Sequence, residues 1–112
     1  MGCCMSCPYC KLSWKTLKEM KERKIKFPTA GGRKSLLIAE LKENPRAIKM
    51  QRSTGRLTWW LSYEKLKRVH DDVHCGKVIL DPYEIDKIVP TWGNYIVGLL
   101  RYLGCRKIET CY

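Results

Sequence analysis

No stretch of the chain approaches the roughly 20 consecutive apolar residues of a membrane-spanning helix. The longest candidate, Tyr95 to Leu103, is broken by Gly98 and Arg101, so no membrane partner is expected. The first residues, Met1-Gly2-Cys3-Cys4-Met5-Ser6-Cys7, hold neither the basic nor the apolar stretch of a secretory signal, which points to a cytoplasmic protein. Carboxylates are scarce, 11 Asp and Glu against 22 Lys and Arg. The two histidines, His70 and His74, enclose Asp71-Asp72-Val73 and lack the glutamate that a zinc protease places between its paired histidines. His70 is expected as a packing residue on an apolar helix face, and His74 simply stands near a helix end. The serines fall at prospective caps and turns, no nucleophile–base pair stands out, and no enzymatic activity is expected. A metal-dependent nuclease would have to assemble from Asp71, Asp72, Asp81 or Glu84 by convergence in space. Internal repeats and low-complexity segments are absent as well.

What remains is the composition of an ordinary globular domain, 112 residues with 45% hydrophobic and 29% charged side chains. One domain over residues 1–112 is expected, with 1–11 forming a cysteine-rich segment. The net charge is +11, and it is unevenly placed. Met1 to Arg56 holds 14 basic and 4 acidic residues, whereas Leu57 to Tyr112 holds 8 and 7. A field concentrated in this way attracts polyanions and gains affinity by releasing their counterions, which makes nucleic acid the first partner to consider.

Local signals predict an α+β fold. Ser13 caps a helix to about Lys24 whose apolar face is Trp14, Leu17 and Met20. Phe27-Pro28-Thr29-Ala30-Gly31-Gly32 reads as a loop. Three β-prone runs follow, Ser35 to Leu41, Arg46 to Ser53 and Leu57 to Ser62, separated by turn chemistry at Asn44-Pro45 and Ser53-Thr54-Gly55-Arg56, and they predict a three-stranded antiparallel meander. In the middle run Ile48 and Met50 alternate with Lys49 and Gln51, one face buried and one wet. Ser62 caps a helix from Tyr63 to His74. A short extended piece, Val78 to Leu80, leads to a helix opened by Asp81-Pro82 and running to about Val89, and then to a helix from Trp92 to Leu103. Arg106 to Thr110 is a candidate final strand.

The segment Asp81 to Leu103, with the helix and extended piece before it, resembles a winged helix-turn-helix in layout, and that resemblance implies Thr91 to Leu103 as the recognition helix. Composition opposes the assignment. Tyr95, Ile96, Val97, Leu99, Leu100, Tyr102 and Leu103 make the helix apolar nearly all round, the pattern of a central core helix. The competing surface is the meander, where Arg33, Lys34, Arg46, Lys49, Arg52 and Arg56 suit phosphates and Trp60 suits a base. Alternation along a strand sends Trp59 and Trp60 to opposite faces, one into the core and one partly exposed. We therefore expect a phosphate-backbone binder, DNA slightly ahead of RNA. An assembly module whose aromatic residues build a homo-oligomer interface is the alternative.

The cysteines allow further readings. Cys7-Pro8-Tyr9-Cys10 resembles the active-site motif of glutaredoxins, which implies a thiol-redox protein acting through Cys7 and Cys10, but only six residues precede it and that fold needs a strand there. Cys3, Cys7 and Cys10 resemble the radical-SAM cluster motif, which belongs to a barrel larger than this chain. The same pair is also half of a zinc knuckle, and a structural zinc on Cys4, Cys7 and Cys10 is the metal expectation. Seven cysteines without an export signal fit a reducing compartment, unless the source is a hyperthermophile.

Overall fold

A computed structural model describes residues 12–104. The cysteine-bearing segment 1–11 and the terminal strand expected at Arg106 to Thr110 lie outside the described residues. The order of elements is α1 (Trp14–Glu22), β1 (Lys26–Pro28), β2 (Ser35–Lys42), β3 (Ala47–Arg52), β4 (Leu61–Ser62), α2 (Tyr63–His74), α3 (Pro82–Asp86) and α4 (Gly93–Tyr102). The strands form one antiparallel sheet in sequence order.

Helix starts follow side-chain chemistry. Ser13 accepts from Thr16 N, Ser62 from Lys65 N, and Asp81 from both Tyr83 N and Glu84 N, with Pro82 in the first turn where no N–H is needed. Trp14, Leu17 and Met20 bury one face of α1 against β2. A single apolar cluster joins them to Phe27 of β1, Leu36 and Ile38 of β2, Ile48 and Met50 of β3, Leu66, Val69 and Val73 of α2, Ile85 of α3, and Ile96, Val97, Leu99 and Leu100 of α4. The helices therefore pack on the face that Leu36, Ile38, Ile48 and Met50 share. Lys26, Leu37, Glu40, Lys42, Lys49 and Gln51 stand on the other face, exposed or half-exposed.

The sheet differs from the expected meander by one strand. Phe27, flanked by exposed Lys26 and Pro28, pairs with Leu36 and is fully buried. One apolar residue beside a breaker cluster carries no strand periodicity, so β1 is created by its partner strand and by the burial of Phe27, worth roughly 1.5–3 kcal/mol. The third expected run is largely irregular: only Leu61 and Ser62 form the ladder, joined by an isolated bridge from Gln51 to Leu57. Between them the Thr58 hydroxyl takes the place of a backbone partner, accepting from Met50 N at 3.0 Å and donating to the Trp59 carbonyl at 3.0 Å.

After α2 the expected extended piece at Val78 to Leu80 is a series of bends outside the sheet, and α3 stops at Asp86. Asp86 instead turns back, and its Oδ1 accepts from Gly93 N at 2.6 Å, serving the N-terminus of α4. All four strands precede α2. α4 packs on α3 and β1 with Gly93, Ile96, Val97, Gly98, Leu99 and Leu100 buried, so it is the core helix its composition indicated. At Gly98 it lies directly on the backbone of the β1–β2 loop. A Cβ there would overlap the Pro28 carbonyl oxygen and sit 2.9 Å from Thr29 Cα. Ala30 N donates to the Asn94 carbonyl at 3.1 Å and Arg101 Nη1 to the Ala30 carbonyl at 3.4 Å, pinning that loop to α4.

Candidate nucleic-acid interface

Antiparallel pairing brings the β1–β2 loop and the turn after β3 to the same end of the sheet, where Pro28 faces Ser35 and Leu36 faces Arg52. The loop is closed by Thr29 N donating to the Lys34 carbonyl at 2.9 Å. The turn is closed by Arg52 N donating to the Arg56 carbonyl at 2.8 Å and by Gln51 Nε2 donating to the Gly55 carbonyl at 3.1 Å. Gly55 sits at φ 92°, a backbone conformation that a side chain would strain. Two hydrogen-bonded turns thus present Arg33 and Lys34 from one side and Arg52 and Arg56 from the other, all exposed. The Arg52 guanidinium lies over the Tyr95 ring of α4 at 5.5 Å, which holds it over the sheet end.

Two adjoining depressions open here. The smaller, about 80 Å³, is lined by Thr29, Lys34, Ser35, Leu36, Arg52, Ser53, Thr54 and Tyr95. The larger, about 220 Å³, lies toward Lys26, Leu37 and Gln51 and shares Ser35, Leu36, Arg52 and Ser53 with it. Neither is lined by a carboxylate.

Toward the middle of the open face stands an aromatic and cationic group. Met50 pairs with Thr58 through backbone and side chain, and Ile48 pairs with Leu61, so Lys49 faces both Trp59 and Trp60, one residue more than a regular ladder allows. Such a bulge cancels the alternation of side chains. Both rings consequently reach the same ammonium, Lys49 Nζ lying 5.4 Å from the Trp59 centroid and 4.9 Å from that of Trp60, while Lys42 Nζ lies 4.7 Å from Trp60. The expectation of one core and one exposed tryptophan is corrected: neither belongs to the core, and Trp59 is 76% exposed. On β2 a second irregularity, between Ile38 and Glu40, brings Glu40 opposite Lys49.

Of the expected site residues, Arg33, Lys34, Arg52 and Arg56 converge on the sheet end, and Lys49 and Trp60 lie on the open face. Arg46 is separated from the sheet-end group. It follows the β2–β3 turn at the opposite end, six strand positions or about 20 Å from Arg52. Its guanidinium stands 5.1 Å over Trp14 and 3.9 Å from a Glu43 carboxylate oxygen. Lys42 and Lys26 belong to the basic surface without having been singled out in the sequence, and Trp59, read there only for its face, joins them. So do Thr29, Ser53 and Thr54, which the sequence placed in a loop and a turn, and Ser35, which it placed at a strand start.

The histidines form a different arrangement. His70 Nδ1 is 3.0 Å from Asp71 Oδ1, and its ring meets that of His74 edge to face at 4.4 Å. His74 is the last residue of α2, at the helix end as expected, and it is also buried. Among the described residues no group of three or more His, Cys, Asp or Glu side chains is placed to hold a metal ion, and Cys4, Cys7 and Cys10 lie outside them. No helix among the described residues is long and apolar enough to cross a membrane. Comparison with family models, with curated proteins and with solved structures returns no match.

Proposed function

We propose that this protein binds nucleic acid through the open face and basic end of its sheet, and that it prefers single strands. The observation that carries the reading is the tryptophan pair gathered around Lys49 on the same sheet as a carboxylate-free basic cleft. A ring as exposed as Trp59 offers a flat apolar surface on which an unpaired base stacks, an option closed to bases inside a duplex. The sheet-end cations supply phosphate contacts. These groups meet phosphates and base faces, which DNA and RNA share, so the interface reads the backbone and stacking surface more than the sequence.

The test is binding of a labelled single strand against salt. Five cations, Arg33, Lys34, Lys49, Arg52 and Arg56, engaging five phosphates imply a slope of about −3.5 in log K against log salt, or about a hundredfold loss between roughly 50 and 200 mM. A duplex of equal length should bind more weakly. Absence of binding at low salt, or binding indifferent to salt, overturns the reading. Self-association through the exposed Trp59 and Leu57 is the competing account, and it predicts concentration-dependent mass in sedimentation with no strand bound.

A further inference from the structure

We infer that the smaller cleft at the sheet end is a pocket for a terminal phosphate monoester, so that the protein distinguishes a phosphorylated strand end from a hydroxyl end. The inference rests on the nucleic-acid reading and deepens it.

A monoester carries close to two negative charges near neutral pH and three oxygens free to accept hydrogen bonds. A backbone diester carries one charge and two such oxygens. The cleft matches the first. The cleft of about 80 Å³ is lined by the cationic residues Lys34 and Arg52, by the hydroxyl-bearing residues Thr29, Ser35, Ser53, Thr54 and Tyr95, and by Leu36. An ammonium has three donors, a guanidinium five and each hydroxyl one. Two full positive charges with no lining carboxylate balance a dianion and exceed what a diester needs.

Size and surroundings point the same way. At about 80 Å³ the cleft is far below the roughly 300 Å³ at which pockets begin to enclose whole drug-sized molecules, a size that suits one small group. The adjoining depression of about 220 Å³ along Leu37 and Gln51 is where the attached nucleoside would lie. One donor and the backbone of both turns are also preset. Arg52 is held over Tyr95, the Thr29–Lys34 loop is closed on itself and tied to α4, and the turn after β3 is closed by backbone hydrogen bonds. Preorganised donors lose little freedom when the ligand arrives.

The experiment compares three single strands of one sequence, ending in a 5′-phosphate, a 3′-phosphate or hydroxyls only, on the full chain. One phosphorylated form should bind about tenfold more tightly than the hydroxyl-ended strand, and inorganic phosphate should compete away that advantage alone. In the variants Ser53→Ala and Ser53→Ala/Thr54→Val, which alter exposed turn positions, the advantage should fall below about twofold while the hydroxyl-ended strand still binds. Equal binding of all three strands by the unaltered protein overturns the pocket and leaves the nucleic-acid reading standing. Equal loss for phosphorylated and hydroxyl-ended strands in the variants also overturns it. Failure of every strand to bind overturns both.

Discussion

Replacing Gly98 by alanine sets a favourable local effect against an unfavourable tertiary one, and the geometry says which prevails. Within a helix the exchange of glycine for alanine is worth about 1 kcal/mol in favour of alanine. Here the new methyl group meets only backbone, namely the Pro28 carbonyl oxygen, Thr29 Cα at 2.9 Å and Thr29 C at 3.1 Å. Pro28 ends β1 and Thr29 opens the loop whose Ala30 hydrogen-bonds to Asn94 and Arg101, so no flexible side chain can swing aside. α4 and β1 must separate, and because only backbone can give way the cost lies in the upper part of the overpacking range, about 2–3 kcal/mol. A net destabilisation of about 1–2 kcal/mol is expected, lowering Tm by roughly 5–15 °C for a domain of this size. Thermal unfolding followed by circular dichroism reads this directly. Gly31→Ala is the control, since nothing lies within 4 Å of the added carbon, and its Tm should stay close to that of the parent. A Gly98→Ala protein as stable as the parent, or more so, would refute the close approach of α4 to β1 and with it the rigid placement of the cleft loop.

Trp59→Ala removes a ring that is 76% exposed, so Tm should be unchanged while single-strand binding weakens by about 5- to 150-fold, the range for loss of one stacked base; unchanged affinity in a titration would remove the stacking platform from the proposal. Tyr63 supplies a pH dependence. Burial pushes its phenol above the ordinary value of 10.0, with the Arg46 charge partly opposing. The folded state therefore keeps this proton at pH values where the unfolded chain releases it, so the contribution is complete below about pH 10 and is lost as pH rises through the folded value. Urea midpoints measured from about pH 9 to 11.5 should fall, and Tyr63→Phe should flatten that fall; an identical alkaline slope in the variant would contradict the assignment.

Features set by neighbours along the chain were legible in the sequence. The starts of α1, α2 and α3 follow from Ser13, Ser62 and Asp81, whose side chains satisfy N–H groups two or three residues onward. Alternation at Ile48, Lys49, Met50 and Gln51 identifies β3, and the apolar circumference of α4 marks it as the core helix. The uneven charge also stands in the sequence, because it requires only counting. Tertiary structure decided the rest. β1 exists because Leu36 offers Phe27 a partner and a buried place, an event separated along the chain from anything that local periodicity records. Trp59 and Trp60 share Lys49 because the Thr58 hydroxyl replaces a ladder bond and adds a residue to the register. Strand pairing also gathers Lys34 and Arg52 with the turn hydroxyls while carrying Arg46 to the far end of the sheet. Composition fixed how much positive charge the molecule carries, whereas register and long-range burial decided which of those charges meet, since only pairing between distant segments sets distances across space.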